Sequence, residues 1–234
     1  VAAGDRVGAA AVSLALEGYG PYAPDADAAD AVFTVSGDEL RLAPDPGEPS
    51  ASADPARRLF RPEPGGAPVA KGPAIRAAAR AAGDWAAFAT AALALGCGEE
   101  LLRATVAYVK QRTQFGVPVG SFQAVKHRLA DTLLGLEFAR PLLYGAAVEL
   151  ASEVSRPGAE AGSAEESPGA GAAVAAAKVT AGEAGYAAAR TALQLHGAIG
   201  YTEELDLAWW LRRARPLRDV WGTPSACRAR VLAG

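Results

Sequence analysis

From about Asp84 to the C-terminus, larger apolar residues recur at helical spacing in an Ala-rich background, and this pattern restricts the fold more than any other. Trp85, Phe88, Ala92, Leu95, Leu102, Val106 and Val109 mark a first helix expected over 84–113, with Asp84 as its N-cap. Gly96 and Gly98 interrupt it, each weakening the helix by about 1 kcal/mol relative to Ala. Close approach of another backbone would explain both. Ser121 is expected to cap a second helix running to about Val154, with the stripe Phe122, Val125, Leu129, Leu133, Leu136 and Leu143 and a kink at Pro141. The Gly, Pro, Ser, Ala and Glu of residues 155–171 read as a flexible loop. A nearly all-Ala third helix is expected over 172–196, closed by Gly197. A short fourth helix is expected over 203–214, and Thr223-Pro224 reads as the cap and first residue of a last one.

Residues 1–72 read differently. Ala11–Leu16, Ala31–Val35 and Glu39–Leu42 are short apolar or alternating runs separated by Gly, Pro and Asp, as expected for three or four strands. The expected fold is mainly α, an up-down four-helix bundle over 73–234, preceded by a small β-region over 1–72. Half of the 234 residues are apolar and 21% are charged, enough for a packed core. A net charge of −3 with interspersed signs argues against nucleic acid or an anionic membrane as partner. The longest apolar runs are broken by Gly or charge, so no membrane span is expected. Residues 1–20 lack the order of a signal peptide, which makes the cytoplasm the expected location. Cys97 and Cys227 fit no metal or disulfide framework. A chain with no methionine that begins at Val1 is expected to be a fragment or to start from an alternative codon.

Two stretches are more specific than a generic bundle requires. The first is Tyr108-Val109-Lys110-Gln111-Arg112-Thr113-Gln114-Phe115-Gly116, continuing through Pro118, Gly120 and Ser121-Phe122-Gln123. The second is Gln194-Leu195-His196-Gly197-Ala198-Ile199-Gly200-Tyr201. In type, order and separation they resemble the C-terminal domain of the acyl-CoA dehydrogenase family. The resemblance covers 84–234 well and 1–72 weakly, through Tyr22–Ala26 and Ala29-Asp30. Arg112 stands at a helix end before a Gly turn, where its guanidinium is free to fork onto an anion. The turn from Gly197 to Gly200 lacks bulky side chains and lets a cofactor approach the backbone. The resemblance implies FAD as cofactor, often held across a subunit interface. It implies that Arg112, Gln114, Phe115, Gln123, Gln194, Gly197 and Ala198 receive its adenine and pyrophosphate half, with Thr223 and Ser225 as further contacts. It also implies an acyl-CoA substrate and a homo- or hetero-oligomer with another family subunit. Taken singly, Arg112 would be a helix-dipole partner, Gly197 a C-cap and the glutamines surface residues.

The family's reaction removes the α-proton of an acyl thioester with a carboxylate while the flavin takes the β-hydrogen as hydride. The family's Tyr-Glu-Gly-Thr stretch matches Val220-Trp221-Gly222-Thr223 here, so Trp221 takes the place of the base and no catalytic residue is assigned. The alternative base position falls at Ala86 or Ala87, with Asp84 and Asp219 as poor substitutes. No stretch resembling the family's flavin-ring cover is present. The resemblance therefore implies a flavin-dependent acyl-CoA dehydrogenase-like oxidoreductase of fatty acid metabolism that is incomplete or lacks its base. The alternatives are a non-catalytic partner subunit and a helical assembly module without flavin. His127 and His196 are expected to be structural, Trp209-Trp210 core or interface, and Arg212, Arg213 and Arg215 a solvated basic face.

Overall fold

The computed structural model describes residues 11–155 and 169–233. The chain divides into two compact units, Val1–Arg80 and Ala81–Gly234.

The first unit is built from strands β1 (Val12–Leu16), β2 (Ala23–Pro24), β3 (Ala31–Ser36), β4 (Glu39–Leu42), β5 (Pro49–Ser50), β6 (Leu59–Phe60) and β7 (Ala67–Lys71). One sheet has the order β1-β3-β4-β7, with β1 parallel to β3 and the other pairs antiparallel. A second small sheet has the order β2-β6-β5. Ala15, Ala23, Ala26, Val32 and Phe60 form the core of this first unit. The expected runs in 11–42 are β1, β3 and β4; the Pro-rich stretches hide the shorter strands because their alternation is too brief to register.

Helix α1 spans Pro73–Gln111. It begins eleven residues before Asp84, so Asp84 is not an N-cap. Gly72 at φ 128° turns the chain, Pro73 opens the helix, and the Ala-rich segment that follows carries it through the single Gly83. The hairpin β8 (Thr113–Gln114) and β9 (Val117–Pro118) leads to α2 (Gln123–Val154), which continues through Pro141. Ser121 does not cap α2. Phe122 occupies the cap position, and Ser121 Oγ donates to Pro118 O at 2.7 Å within the preceding turn. Helix α3 covers Gly169–His196, so it begins ahead of the expected Ala172; of the expected loop, residues 156–168 lie outside the described residues. A 3-10 turn over Gly197–Tyr201 follows, with Gly197 at φ 66° as its expected C′ role requires. Helix α4 is Leu207–Asp219, later than the expected 203–214 and with Pro216 inside it. Helix α5 is Pro224–Ala233, capped as expected by Thr223, whose Oγ1 accepts from Ala226 N at 3.3 Å.

The molecule is mainly α, a helical bundle with a small β-region ahead of it in sequence. Two apolar clusters hold the bundle. Ala87, Ala91 and Leu95 of α1 meet Leu136, Leu143 and Leu150 of α2 and Val174 of α3. Ala94, Cys97 and Leu101 meet Ala188 and Ala192 of α3 and Leu207 and Leu217 of α4. The small residues let backbones approach closely. A Cβ on Gly98 would lie 2.6 Å from Leu136 Cδ2 and 3.0 Å from Gly185 Cα. A Cβ on Gly96 would meet open space, so close packing explains only one of the two glycines. Among the described residues α1 is the one helix long and apolar enough to cross a membrane by length and composition; its buried positions are those of a bundle core helix.

Candidate functional site

The first stretch singled out in the sequence lies where α1 ends. Arg112 follows the last turn of α1, and its backbone N–H still donates to Tyr108 O at 2.9 Å. Val119 N donates to Arg112 O at 2.8 Å and closes the β8–β9 hairpin back onto the helix end. The hairpin tip carries Phe115 at φ 53° and Gly116 at φ 80°. Phe115 is 92% exposed and meets Phe122 edge to face, with ring centroids 6.3 Å apart. Gln114 sits in the hairpin and Gln123 opens α2; both are exposed.

The second stretch lies against the first. The Tyr108 and His196 rings stack, with centroids 4.2 Å apart and planes 21° from parallel. Tyr108 Oη donates to His196 O at 3.3 Å. His196 is buried, and burial pushes its pKa down, so the ring is neutral at pH 7 with Nδ1–H donating to Ala192 O at 2.8 Å. This pair fixes the end of α1, one turn before Arg112, to the end of α3, one residue before Gly197. Gln194, Gly197 and Ala198 are exposed beside it. The result is an exposed face that combines a guanidinium, amide side chains, an unpacked Phe and a side-chain-poor turn.

Thr223 and Ser225 are elsewhere. Their hydroxyls lie 3.1 Å apart at the start of α5, beside Gly222, whose carbonyl accepts from Lys178 Nζ at 3.3 Å. From Lys178 to Gly197 is about 28 Å along α3 at the usual helical rise. The structure therefore brings seven of the nine assigned residues to one end of the bundle and places Thr223 and Ser225 toward the other.

Two groups were not evident in the sequence. Lys178 is fully buried, and its ammonium donates to Leu217 O (3.0 Å), Arg218 O (2.9 Å) and Gly222 O (3.3 Å). It supplies the C-terminus of α4 with donors that the helix cannot provide itself, and the helix dipole favours a cation there. Burial lowers its pKa to about 8. The one signal in the sequence was a single Lys inside an all-apolar Ala run. The second group is the ion pair of Asp84 with Arg230, which grips both carboxylate oxygens, one at 2.9 Å. It ties α1 to α5 and gives the buried Asp84 its role.

Lys178 also shapes the Val220–Gly222 segment. Trp221 adopts φ 55° and its indole packs on the cluster that contains Ala87 and Ala91. Gly222, at φ 125°, admits no Cβ, which would lie 2.8 Å from Cys227 Sγ. Cys97 and Cys227 are free and buried, and burial pushes the Cys227 thiol pKa up, so it stays protonated. The two positions considered for a catalytic base thus belong to one apolar cluster. The nearest carboxylate along α1, Asp84, is already held by Arg230.

The remaining features are structural in character. Arg215 and Arg218 lie over the Tyr186 ring, at 5.5 and 5.4 Å from its centroid, and Arg212 pairs with Glu203. Trp209 is exposed, while Trp210 packs against the second cluster. An open groove of about 480 Å3 between α1 and α2 is lined by Glu99, Glu100, Arg103, Glu137 and Arg140. Its charges are paired with one another, Arg140 with Glu99 and Glu137 at 2.9 and 3.1 Å and Arg103 with Glu100 at 2.6 Å.

The family model described as acyl-CoA dehydrogenase, C-terminal domain, matches residues 75–233. The acyl-CoA dehydrogenase IpdE2 of Mycobacterium tuberculosis is 34% identical over 205 residues, 87% of this chain. The chain spans 56% of that relative's length. A variant of the steroid ACAD Tcur3481-Tcur3483 superposes with a TM-score of 0.75 at 25% identity, over 96% of this chain and 62% of that one. The ChsE4-ChsE5 complex from Mycobacterium tuberculosis gives a TM-score of 0.69 at 25% identity, over 98% of this chain and 64% of that one.

Proposed function

The chain belongs to the acyl-CoA dehydrogenase family, and from that membership we propose that it supplies a FAD-holding helical unit for the α,β-dehydrogenation of an acyl-CoA thioester without supplying the base. The observation that carries this reading is the Tyr108–His196 contact, which holds Arg112 and the Gly197 turn on one exposed face. Arg112 would fork onto the pyrophosphate, and the backbone of Gly197 and Ala198 would approach it without steric hindrance. Gln114, Gln123 and Gln194 would donate from either side, and the exposed Phe115 ring would cover the adenine. Bound FAD would supply the hydride acceptor.

Thr223 and Ser225 are implied as further contacts of the cofactor but stand about 28 Å of helix away. That separation supports a cofactor shared between two chains, one giving the Arg112 face and the other the start of α5. With Ala87 in the core, Trp221 packed against it, Asp84 held by Arg230 and Asp219 paired with Arg215, the described residues offer no free carboxylate near the assigned base positions. The base would come from the partner, a family subunit that keeps its Glu, and this chain would be the non-catalytic subunit. The two-chain names of the Tcur3481-Tcur3483 and ChsE4-ChsE5 relatives support such pairing.

Titration of FAD fluorescence tests the reading, first with the chain alone and then with a co-expressed family subunit that carries the Glu. Quenching is expected with the partner present. Arg112→Ala should weaken it by roughly ten- to a hundredfold, the worth of a hydrogen-bonded charge, with helical content unchanged. If neither sample binds flavin, the helical assembly reading replaces this one. If the chain alone dehydrogenates an acyl-CoA with FAD and a dye, the missing-base reading is wrong.

A further inference from the structure

Resting on the cofactor reading above, we propose that Lys110, Lys126, Arg128 and Arg190 steer the anionic dinucleotide onto the Arg112 face, setting how fast it arrives rather than how long it stays. The start of α2 runs beside the end of α3. The Thr132 and Thr191 hydroxyls lie 3.2 Å apart, and a Cβ on Gly135 would lie 3.8 Å from Ala184 Cβ. The two helices are therefore antiparallel, with the first turns of α2 alongside residues 194–198. Four cations on three helices stand close in sequence to the assigned residues. Lys110 is two positions before Arg112, Lys126 and Arg128 are three and five after Gln123, and Arg190 is one helical turn before Gln194. All four are exposed.

Their lack of counter-charges sets them apart. Among the described residues none of the four, nor Arg112, takes part in an ion pair. Elsewhere in the helical unit guanidiniums are matched at short range, Arg103 with Glu100, Arg140 with Glu99, Arg228 with Glu183 and Arg230 with Asp84. The first turn of α2 holds no acidic residue, and Asp131 is the one carboxylate in its first three turns. Carboxylates favour the N-terminus of a helix and cations disfavour it, through the macrodipole. Lys126 and Arg128 go against that preference, so that dipole and side chains add to one positive field. On the far side of the Gly197 turn, Glu204 and Asp206 are the acidic residues, and Glu203 is held by Arg212.

Near the face this field outweighs the charge of the whole chain. The formal net charge is −3, which at long range repels an anion. The screening length is about 10 Å at about 0.1 M salt. Glu149 and Glu153, at the other end of α2, are about 35 Å or more along the helix from Lys126, so their repulsion is screened out where the ligand lands. A cluster of one sign raises association rates by about 10- to 1000-fold, with a steep dependence on ionic strength. Exposed, long-stemmed cations add little to the bound complex, because water competes for them and ordering them costs entropy. Such charges act on the association rate and its salt dependence.

Stopped-flow quenching of FAD fluorescence, on the flavin-free complex with the Glu-bearing partner, separates the two rates. The triple variant Lys126→Gln, Arg128→Gln, Arg190→Gln should slow association about tenfold or more in low salt, with the dissociation rate and the far-UV helical signal unchanged. It should also flatten the fall of the wild-type association rate between about 20 and about 300 mM salt. Arg112→Ala should instead raise the dissociation rate. Glu149→Gln with Glu153→Gln changes the net charge without touching the face, and should leave both rates as they are. An association rate insensitive to the triple variant, a loss carried by dissociation instead, or a comparable response to the Glu149 and Glu153 changes would each overturn the proposal. A wild-type complex that quenches no flavin at any salt would overturn the cofactor reading itself, and the steering with it.

Discussion

Lys178→Met will lower the unfolding free energy of the bundle by about 3 kcal/mol or more, read from chemical denaturation at pH 7, because it strands three buried carbonyl groups. Methionine fills similar space, so the loss is of donors rather than of volume. All three protons of the ammonium are in use, on Leu217, Arg218 and Gly222. Without them the end of α4 and the Trp221–Gly222 segment lose their shared anchor, and Trp221 fluorescence should shift toward that of a wetter indole. The variant should also change a pH slope. The Lys178 pKa is held down to about 8, below its ordinary 10.5. Between those values the unfolded chain binds the proton and the folded one does not. This group's contribution to unfolding free energy therefore rises as pH goes from about 8 to about 10.5 and is lost as pH falls through 8. Denaturation midpoints across that window should climb in the wild type relative to Lys178→Met. Parallel curves would show that the lysine is not buried as described.

Gly185→Ala and Gly96→Ala should move stability in opposite directions. Each substitution gains about 1 kcal/mol of helix propensity. At Gly96 nothing lies within reach of the new Cβ, so the gain should appear nearly intact. At Gly185 the Cβ would lie 2.5 Å from Ala94 O, a backbone atom of α1 that cannot swing aside. Pushing the helices apart costs about 1–3 kcal/mol in strain and lost packing, and the neighbouring Gly98, whose own Cβ position is 3.0 Å from Gly185 Cα, leaves no slack. Thermal denaturation of the two variants side by side separates propensity from packing. A Gly185→Ala chain as stable as Gly96→Ala would mean that α1 and α3 do not touch at this crossing.

These residues also show how far a sequence reading reaches. The stripe Phe122, Val125, Leu129, Leu133, Leu136 and Leu143 identified α2 because its apolar residues repeat with the helical period, although only Leu136 and Leu143 of the six are buried. The same rule is silent about which of them are covered, since periodicity tells which residues align and not which neighbour packs on them. Asp84 looked like a cap because Asp starts many helices, and an Ala-rich lead-in carries no apolar stripe to reveal that the helix began earlier. Its partner, Arg230, is 146 positions away. Gly96 and Gly98 are indistinguishable as letters, and only the crossing of α3 makes one of them obligatory.

The sequence alone determined the order of the helices, the turn at Gly197, the cap at Thr223 and the two stretches that mark the family, because each depends on residues within a turn or two of one another. Which groups meet was decided only by tertiary structure. The Tyr108–His196 stack, the burial of Lys178 under the end of α4, the Asp84–Arg230 pair and the distance between Thr223 and Arg112 all follow from where α3, α4 and α5 cross α1. Those crossings arise from the packing of many small side chains together, and no local stretch of the chain encodes them.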